Sequence, residues 1–348
     1  MTLNLSNKII IKHLQNYRTI NTTKIYRNLS PNNVMNVFDR NVKLLQRERS
    51  ANNADVKIYD YIKDEIGYRL ADRIFDIKRE FKVGLDLGCG RGHVAKNIIS
   101  DSIKKLILTD MSETYLNQAS LPDNIEIEKR IIDEENFLLD ENSIDIVVSC
   151  LSLHWVNNLP GCFEKIIRVL KNDGVFMAAI FGGDTLYELR SSLQLAELER
   201  EGGISPHISP FAQIRDIGSL MTRAGFTMLT IDCDEIVVGF PSMFELMHDL
   251  KGMAENNAAR NRKLHLKRET MIAASAIYDE LYGKIDDKDG KKYIPATFQI
   301  IYMLGWKPDK SQPKPLPRGS GDVSLKDLYK LNEIIKDTKK IQLNDDDK

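Results

Sequence analysis

The sequence contains no Cys-x-x-C pair. Its four cysteines, Cys89, Cys150, Cys162 and Cys233, stand far apart, which excludes thiolate zinc motifs and redox dithiols. In a chain of 348 residues they read as reduced, mostly buried thiols, not as a disulfide framework. Long apolar runs are missing as well: the longest, VFMAAIF at 175–181, has seven residues, against the ~20 needed to span a bilayer. None of the six histidines begins a His-x-Asp or His-x-Glu pair, so the facial triad of non-haem iron enzymes has no readable start and no metal site is expected. Lys plus Arg number 49 and Asp plus Glu 50. With no excess of positive charge, a nucleic-acid partner is not expected.

One local absence matters more. From Met1 to Phe38 there is no acidic residue, while Lys8, Lys12, Arg18, Lys24 and Arg27 stand among Ser, Thr and Asn. That composition is expected of a mitochondrial transit peptide. Leu3, Ile10, Leu14 and Tyr17 can share one helical face, and Arg27-Asn28-Leu29-Ser30 resembles a matrix-processing site. Residues 1–30 are therefore set apart from the fold.

What is present alternates. Ile62, Ile66, Leu70 and Ile74 recur at every fourth residue, which predicts an amphipathic helix ahead of the core. Strands are expected at 81–87, 105–109, 125–131, 144–150 and 174–180, with helices at 92–99, 112–119 and 160–170 between them. Such alternation builds right-handed βαβ units in a mostly parallel sheet. Further helices are expected at 184–201, at 210–223 before Gly225, at 242–256 and at 267–282. A strand or hairpin is expected at 226–240 and a last strand at 296–306. Prolines crowd between Pro308 and Pro317 and end the compact part, leaving a charged tail with a short helix near 325–335. The divisions expected are a transit peptide (1–30), a helical N-terminal cap (31–80), a core (81–240) with a helical insert near 184–225, a C-terminal extension (241–307) and a mobile tail (308–348).

The chemistry gathers at strand ends. Asp86-Leu87-Gly88-Cys89-Gly90-Arg91-Gly92 sits where the first strand turns toward a helix. Glycines there allow positive φ and close approach of a ligand to the backbone, and a helix N-terminus behind them would present free N–H groups. Asp110, at the end of the second strand, is placed to accept both ribose hydroxyls, and Met111 follows it. The glycines at 88, 90 and 92 do not make the pyrophosphate pattern G-x-G-x-x-G. Asp133 and Glu134 follow the third strand, either as acceptors toward a ligand or as part of a solvated acidic loop. SCLSLHW at 149–155 leaves the fourth strand at the mouth of the sheet. Its His154 reads either as a base or hydrogen-bond donor, or as a packed His-Trp corner. Asp184, at the equivalent mouth after the fifth strand, either touches substrate or caps the next helix.

Asp86-x-Gly88-x-Gly90-x-Gly92 resembles the first motif of class I S-adenosylmethionine (SAM) methyltransferases, and Leu170 to Gly174 matches their turn into the fifth strand. Longer blocks are more specific. VMNVFDRNVKLLQRERS, YIKDEIGYRLADRIFDI, VVSCLSLHWVNNLP, FGGDTLYELRSSLQLAELEREGGISPHISPF, EIVVGFPSMFELMHDLKGM and PATFQIIYMLGWKP are similar to the assembly-factor-5 family of mitochondrial respiratory complex I, over about Val34 to Gly321. The resemblance implies a Rossmann-like class I SAM-methyltransferase fold with a seven-stranded, mostly parallel sheet. It implies SAM as cofactor, held by Asp86, Gly88, Gly90, Gly92, Asp110, Met111, Asp133 and Glu134. It also implies arginine hydroxylation of the PSST-type iron-sulfur subunit of complex I, beside other assembly factors and peripherally on the matrix side of the inner membrane. Malonyl-carrier-protein O-methyltransferases are related.

Fold and family point to different reactions, and fold alone does not settle chemistry. Arginine hydroxylation, needed early in complex I assembly, is the expected function, with His154 and Asp184 as the catalytic candidates. Methyl transfer to a carrier protein or small molecule is the alternative, and a non-catalytic assembly chaperone the second. Glu188, Glu197, Glu199 and Glu201 of the insert are expected to attract a basic peptide, or else to form a solvated helix face.

Overall fold

The computed structural model describes residues 36–287, 290–313, 318 and 319. The segment expected to be a transit peptide, the helix expected near 325–335 and most of the proline-rich tail lie outside the described residues. The elements are α1 (Arg40–Ala51), α2 (Tyr61–Phe75), β1 (Phe81–Leu87), β2 (Ile103–Asp110), α3 (Glu113–Gln118), β3 (Glu126–Ile131), β4 (Ile144–Cys150), α4 (Leu159–Val169), β5 (Leu170–Phe181), α5 (Tyr187–Glu201), α6 (Ile214–Ala224), β6 (Thr227–Phe240), α7 (Met243–Gly252), α8 (Arg268–Tyr282), β7 (Lys284–Ile285) and β8 (Lys292–Trp306).

Seven strands form one sheet in the order β3-β2-β1-β4-β5-β8-β6, and the two-residue β7 pairs with β8. The ladders from β3 to β5 are parallel, whereas β8 runs antiparallel to both β5 and β6. This is the class I methyltransferase arrangement that the sequence implies. The sequence pattern explains the layering. Ile146 and Val148 of β4 join one apolar cluster with Ile66 and Leu70 of α2 and Leu189 and Leu193 of α5. Val147, between them, joins the other, with Phe163 and Ile166 of α4 and Ile217 and Met221 of α6. Alternate side chains of one strand thus feed both faces. The edge strand β3 is instead rich in charge, with Glu126, Glu128, Lys129 and Arg130 largely outside the core, which protects its open edge.

Two expectations need correction. The helix expected at 92–99 is a single 3-10 turn at Ala95–Asn97. There the Asn97 side-chain amide donates to the His93 carbonyl at 2.9 Å, and Ile98 is already extended. The turn 171–174 lies inside β5 as a bulge, because β4 pairs Ile144 with Leu170 and then Ile146 with Val175. Asp173 makes it possible at φ 58°.

Helix α1 has an inverted character. Arg40, Lys43, Gln46, Arg47 and Ser50 are buried, while Leu45 is 67% exposed. Steps of three and four place Arg40, Lys43 and Arg47 on one face. That face lies over the carboxyl ends of β1, β2 and β4, where open α/β sheets bind ligands.

Candidate active site

The glycine loop is built by backbone conformation. Gly88, Gly90 and Gly92 hold φ of +74°, +57° and +78°, a region in which side chains with a Cβ are strained. The Gly90 N–H donates to Asp110 Oδ2 at 3.0 Å, and the Ser112 N–H donates to Asp110 Oδ1 at 2.8 Å. Since no α-helix follows the loop, its polarity comes from these individual N–H groups, without a helix dipole behind them.

Asp110 and Glu134 are fully buried, and both are engaged by α1. Arg47 Nη1 lies 3.2 Å from each Asp110 carboxylate oxygen and 2.9 Å from Glu134 Oε1, and Arg47 Nη2 donates to Ser152 Oγ at 2.8 Å. Ser152 Oγ donates in turn to Glu134 Oε1 at 2.5 Å. Arg40 pairs with Glu134 Oε2 and, at 2.7 Å, with Asp133 Oδ1. Burial by itself would lower the Arg47 pKa, but the charges of Asp110 and Glu134 raise it above its ordinary value. Asp133 and Glu134 are thus neither a solvated loop nor free acceptors. Met111 is half-buried beside them.

His154 is the centre of an aromatic corner. Its ring centroid lies 5.2 Å from Trp155, 4.9 Å from Phe181 and 5.4 Å from Phe211. Its Nε2 is 3.4 Å from Glu255 Oε2, which also accepts from Trp155 Nε1 at 2.9 Å, while its Nδ1 is buried without a partner. Burial lowers the His154 pKa, partly opposed by the hydrogen bond to Glu255, and so favours the neutral ring. Burial would raise the Glu255 pKa, but Lys63, at 3.0 Å, with His154 and Lys43, holds it well below the ordinary value. Beside this corner opens a cavity of about 400 Å³, lined among others by Phe181, Phe211, Leu193, Met247, His207 and Glu255. His154 itself is a packed corner: it stands behind Phe181, Phe211 and Glu255, which line the cavity.

Asp184 lies elsewhere. It is exposed, accepts from Gln299 Nε2 at 3.1 Å, and does not cap α5, whose N-terminal flank is Leu186. The acids of the insert are also occupied. Glu188 accepts from Thr297, Glu197 from Lys263, Ser205 and His207, and Glu201 from Lys263 and Thr270. Only Glu199 of the four remains on the surface without a hydrogen bond, beside Arg200 at 3.6 Å. The acidic peptide-attracting face expected from sequence is therefore absent.

The residue set fits SAM on one further observation. Both carboxylate oxygens of Asp86 are buried and have no partner, so this acid is available to an ammonium group such as that of SAM. Burial, assisted by the charge of Asp110, pushes its pKa up to about 8 from 3.8. The folded chain then keeps a proton that the unfolded chain releases above 3.8, so stability falls as pH rises through this interval and levels off above about 8. Asp86→Asn removes this titration. Thermal melts should show the variant gaining on the parent between about pH 5 and about pH 8; parallel curves would contradict the assignment.

Arg40, Arg47 and Glu255 are absent from the sequence-based site. Their only local signal is the 40, 43, 47 spacing of basic residues, which carries no indication of what faces it.

A methyltransferase-domain family model matches residues 85–178. Two relatives carrying the name "Arginine-hydroxylase NDUFAF5, mitochondrial" align over most of the chain. The protein of Danio rerio is 50% identical over 90% of this chain and 96% of its own length. That of Homo sapiens is 51% identical over 88% of each. A malonyl-[acyl-carrier protein] O-methyltransferase of Methylovorus sp. (strain MP688) is 30% identical over 71% of this chain and 82% of its own. Such identity extends well beyond the glycine loop, through the cap, the insert and β8. The chain belongs to the mitochondrial arginine-hydroxylase NDUFAF5 family, built on a SAM-dependent methyltransferase fold.

Proposed function

We propose that this protein hydroxylates an arginine side chain of the PSST-type iron-sulfur subunit of complex I, on the matrix side of the inner mitochondrial membrane, early in complex I assembly. The observation that carries this reading is half-identity over nine-tenths of the chain to a relative named as an arginine hydroxylase. Contact with the membrane is peripheral: among the described residues no helix is long and apolar enough to cross one. The arginine enters the cavity beside His154. Its walls at Phe181, Leu193, Phe211 and Met247 suit an aliphatic stem. His154 stands behind this wall and positions Glu255, which lines the cavity. Hydroxylation of C–H to C–OH is a two-electron oxidation; with dioxygen as oxidant, an external donor supplies two electrons, and with two protons the second oxygen atom leaves as water.

SAM is the ligand proposed for the glycine loop. Asp86 would receive its ammonium group, Asp110 its ribose, and the backbone of Gly88, Gly90 and Gly92 would lie along it, with Met111, Asp133 and Glu134 on the adenine side. When bound, it supplies an electrophilic methyl group. That capacity, with the carrier-protein methyltransferase among the relatives, favours methyl transfer as the second reading.

Peptide mass spectrometry of the PSST-type subunit, from mitochondria with and without this protein, separates the readings. One arginine should lose its added oxygen in the deleted strain. An arginine oxygen that persists would defeat the hydroxylase reading, and a SAM-dependent methyl group on a purified acyl carrier would establish the alternative.

A further inference from the structure

Helix α1 occupies the acceptors that a nucleoside would use. A carboxylate offers about four lone-pair sites. At Asp110 the Gly90 and Ser112 N–H groups take one on each oxygen, and Arg47 Nη1 lies 3.2 Å from each oxygen as well. That leaves little acceptor capacity for the two hydroxyls of a ribose, whose usual partner is an acid in this position. The space is closed too. A Cβ placed on Gly88 would lie 2.3 Å from Ser152 Oγ and 2.8 Å from Glu134 Oε1, and Arg47 bonds both of those groups. Meanwhile the Asp86 carboxyl group, in the same pocket of charge, has no donor among the described residues. The closed arrangement thus saturates one ligand-holding acid and leaves the other idle.

We infer that Arg47 is an internal occupant of the nucleoside site, and that α1 and SAM hold Asp110 in mutually exclusive states. This rests on the assignment of SAM to the glycine loop. Exchange is physically reasonable because a buried ion pair gains little net stability: desolvation of both charges offsets most of their attraction. Moving Arg47 toward solvent recovers its hydration while the ribose takes over the acid. Helix α1 is also held mainly by replaceable polar contacts. Lys43 Nζ donates to the Ala254 and Asn256 carbonyls, Ser50 to the Gly252 carbonyl, and Glu48 accepts from Ser112 and Thr114. Arg40 keeps Glu134 paired when Arg47 leaves.

The test is SAM binding by calorimetry to the full chain and to Arg47→Gln, together with amide hydrogen exchange of residues 40–51. If the open state is a tenth of the population or less, removing the competitor tightens SAM by about tenfold or more. Equal or weaker binding by a folded Arg47→Gln protein overturns the inference. In the parent protein SAM should speed exchange in α1; protection of α1 by SAM would show that the helix closes over the ligand, and overturns it as well. This second measurement decides the matter if the variant does not fold. Binding by neither protein would remove the SAM assignment itself, leaving the hydroxylase reading to the mass-spectrometric test.

Discussion

Glu134→Ala is expected to destabilise this protein by about 3–5 kcal/mol, the cost of stranding buried charges by removing one partner. Glu134 is fully buried and is the only acid in contact with the guanidinium groups of both Arg40 and Arg47 among the described residues. Without it Arg47 keeps Asp110 alone and Arg40 keeps the half-exposed Asp133 and, at 3.9 Å, Glu135. The effect depends on pH in a fixed direction. Burial would raise the Glu134 pKa, but Arg40 and Arg47 carry it well below 4.5. A carboxylate so depressed stabilises the fold above its unfolded value of 4.5 and loses that contribution as pH falls toward its folded value. The gap between parent and variant should therefore be full at neutral pH and shrink below about pH 4.5. Urea unfolding at both pH values measures it. A neutral-pH loss under about 1 kcal/mol, the scale of a surface pair, would show that the cluster is not the buried network described.

Gly67→Leu should cost at least as much as the usual 1–3 kcal/mol of overpacking, roughly 3 kcal/mol or more. Gly67 lies on the buried face of α2, between Ile66 and Leu70. A Cβ there would stand 2.3 Å from the His93 carbonyl oxygen and 2.5 Å from its carbon. These are backbone atoms of the segment that leaves the glycine loop, so no rotamer change can make room. Helix α2 must lift or the loop must shift. Gly203→Ala is the control, with nothing within 4 Å of its new Cβ, and should stay within about 0.5 kcal/mol of the parent. Equal urea midpoints for the two variants would refute the packing argument.

The sheet was readable because its central strands are apolar on both faces, and β1 and β4 begin and end where the sequence pattern places them. Asp110 was readable from position, as an acid closing the second strand. Its partner was not. Arg47 lies 63 positions away, and a basic residue on an exposed helix leaves the same local pattern as one on a buried face. Leu45 misleads in the other direction, an apolar side chain turned to solvent. Glu188 and Glu197 show the same limit: their spacing suits a solvated helix face, yet each is enclosed by donors from distant segments. Asp184 was placed correctly at the end of the fifth strand, but its side chain turns to Gln299 of β8, a contact that depends on an insertion of β8 which no local pattern reveals. The turn at 95–97 escaped because the packing of His93 against Gly67 belongs to tertiary structure.

The position of β8 has a consequence for the order in which the chain can acquire its fold. The last described strand is not at the edge of the sheet but between β5 and β6. Until residues 292–306 leave the ribosome or the import channel, the outer backbone edge of β5 and the inner edge of β6 have no partner. Helix α1 waits similarly, since Asp39 and Lys43 bond to carbonyls at 258 and 254. Pairings so distant in sequence form slowly, and open strand edges invite association with other chains in the interval. The N-terminal helix and the outer half of the sheet therefore both wait for residues beyond 250, and a chain cut short of β8 leaves the outer edge of β5 open.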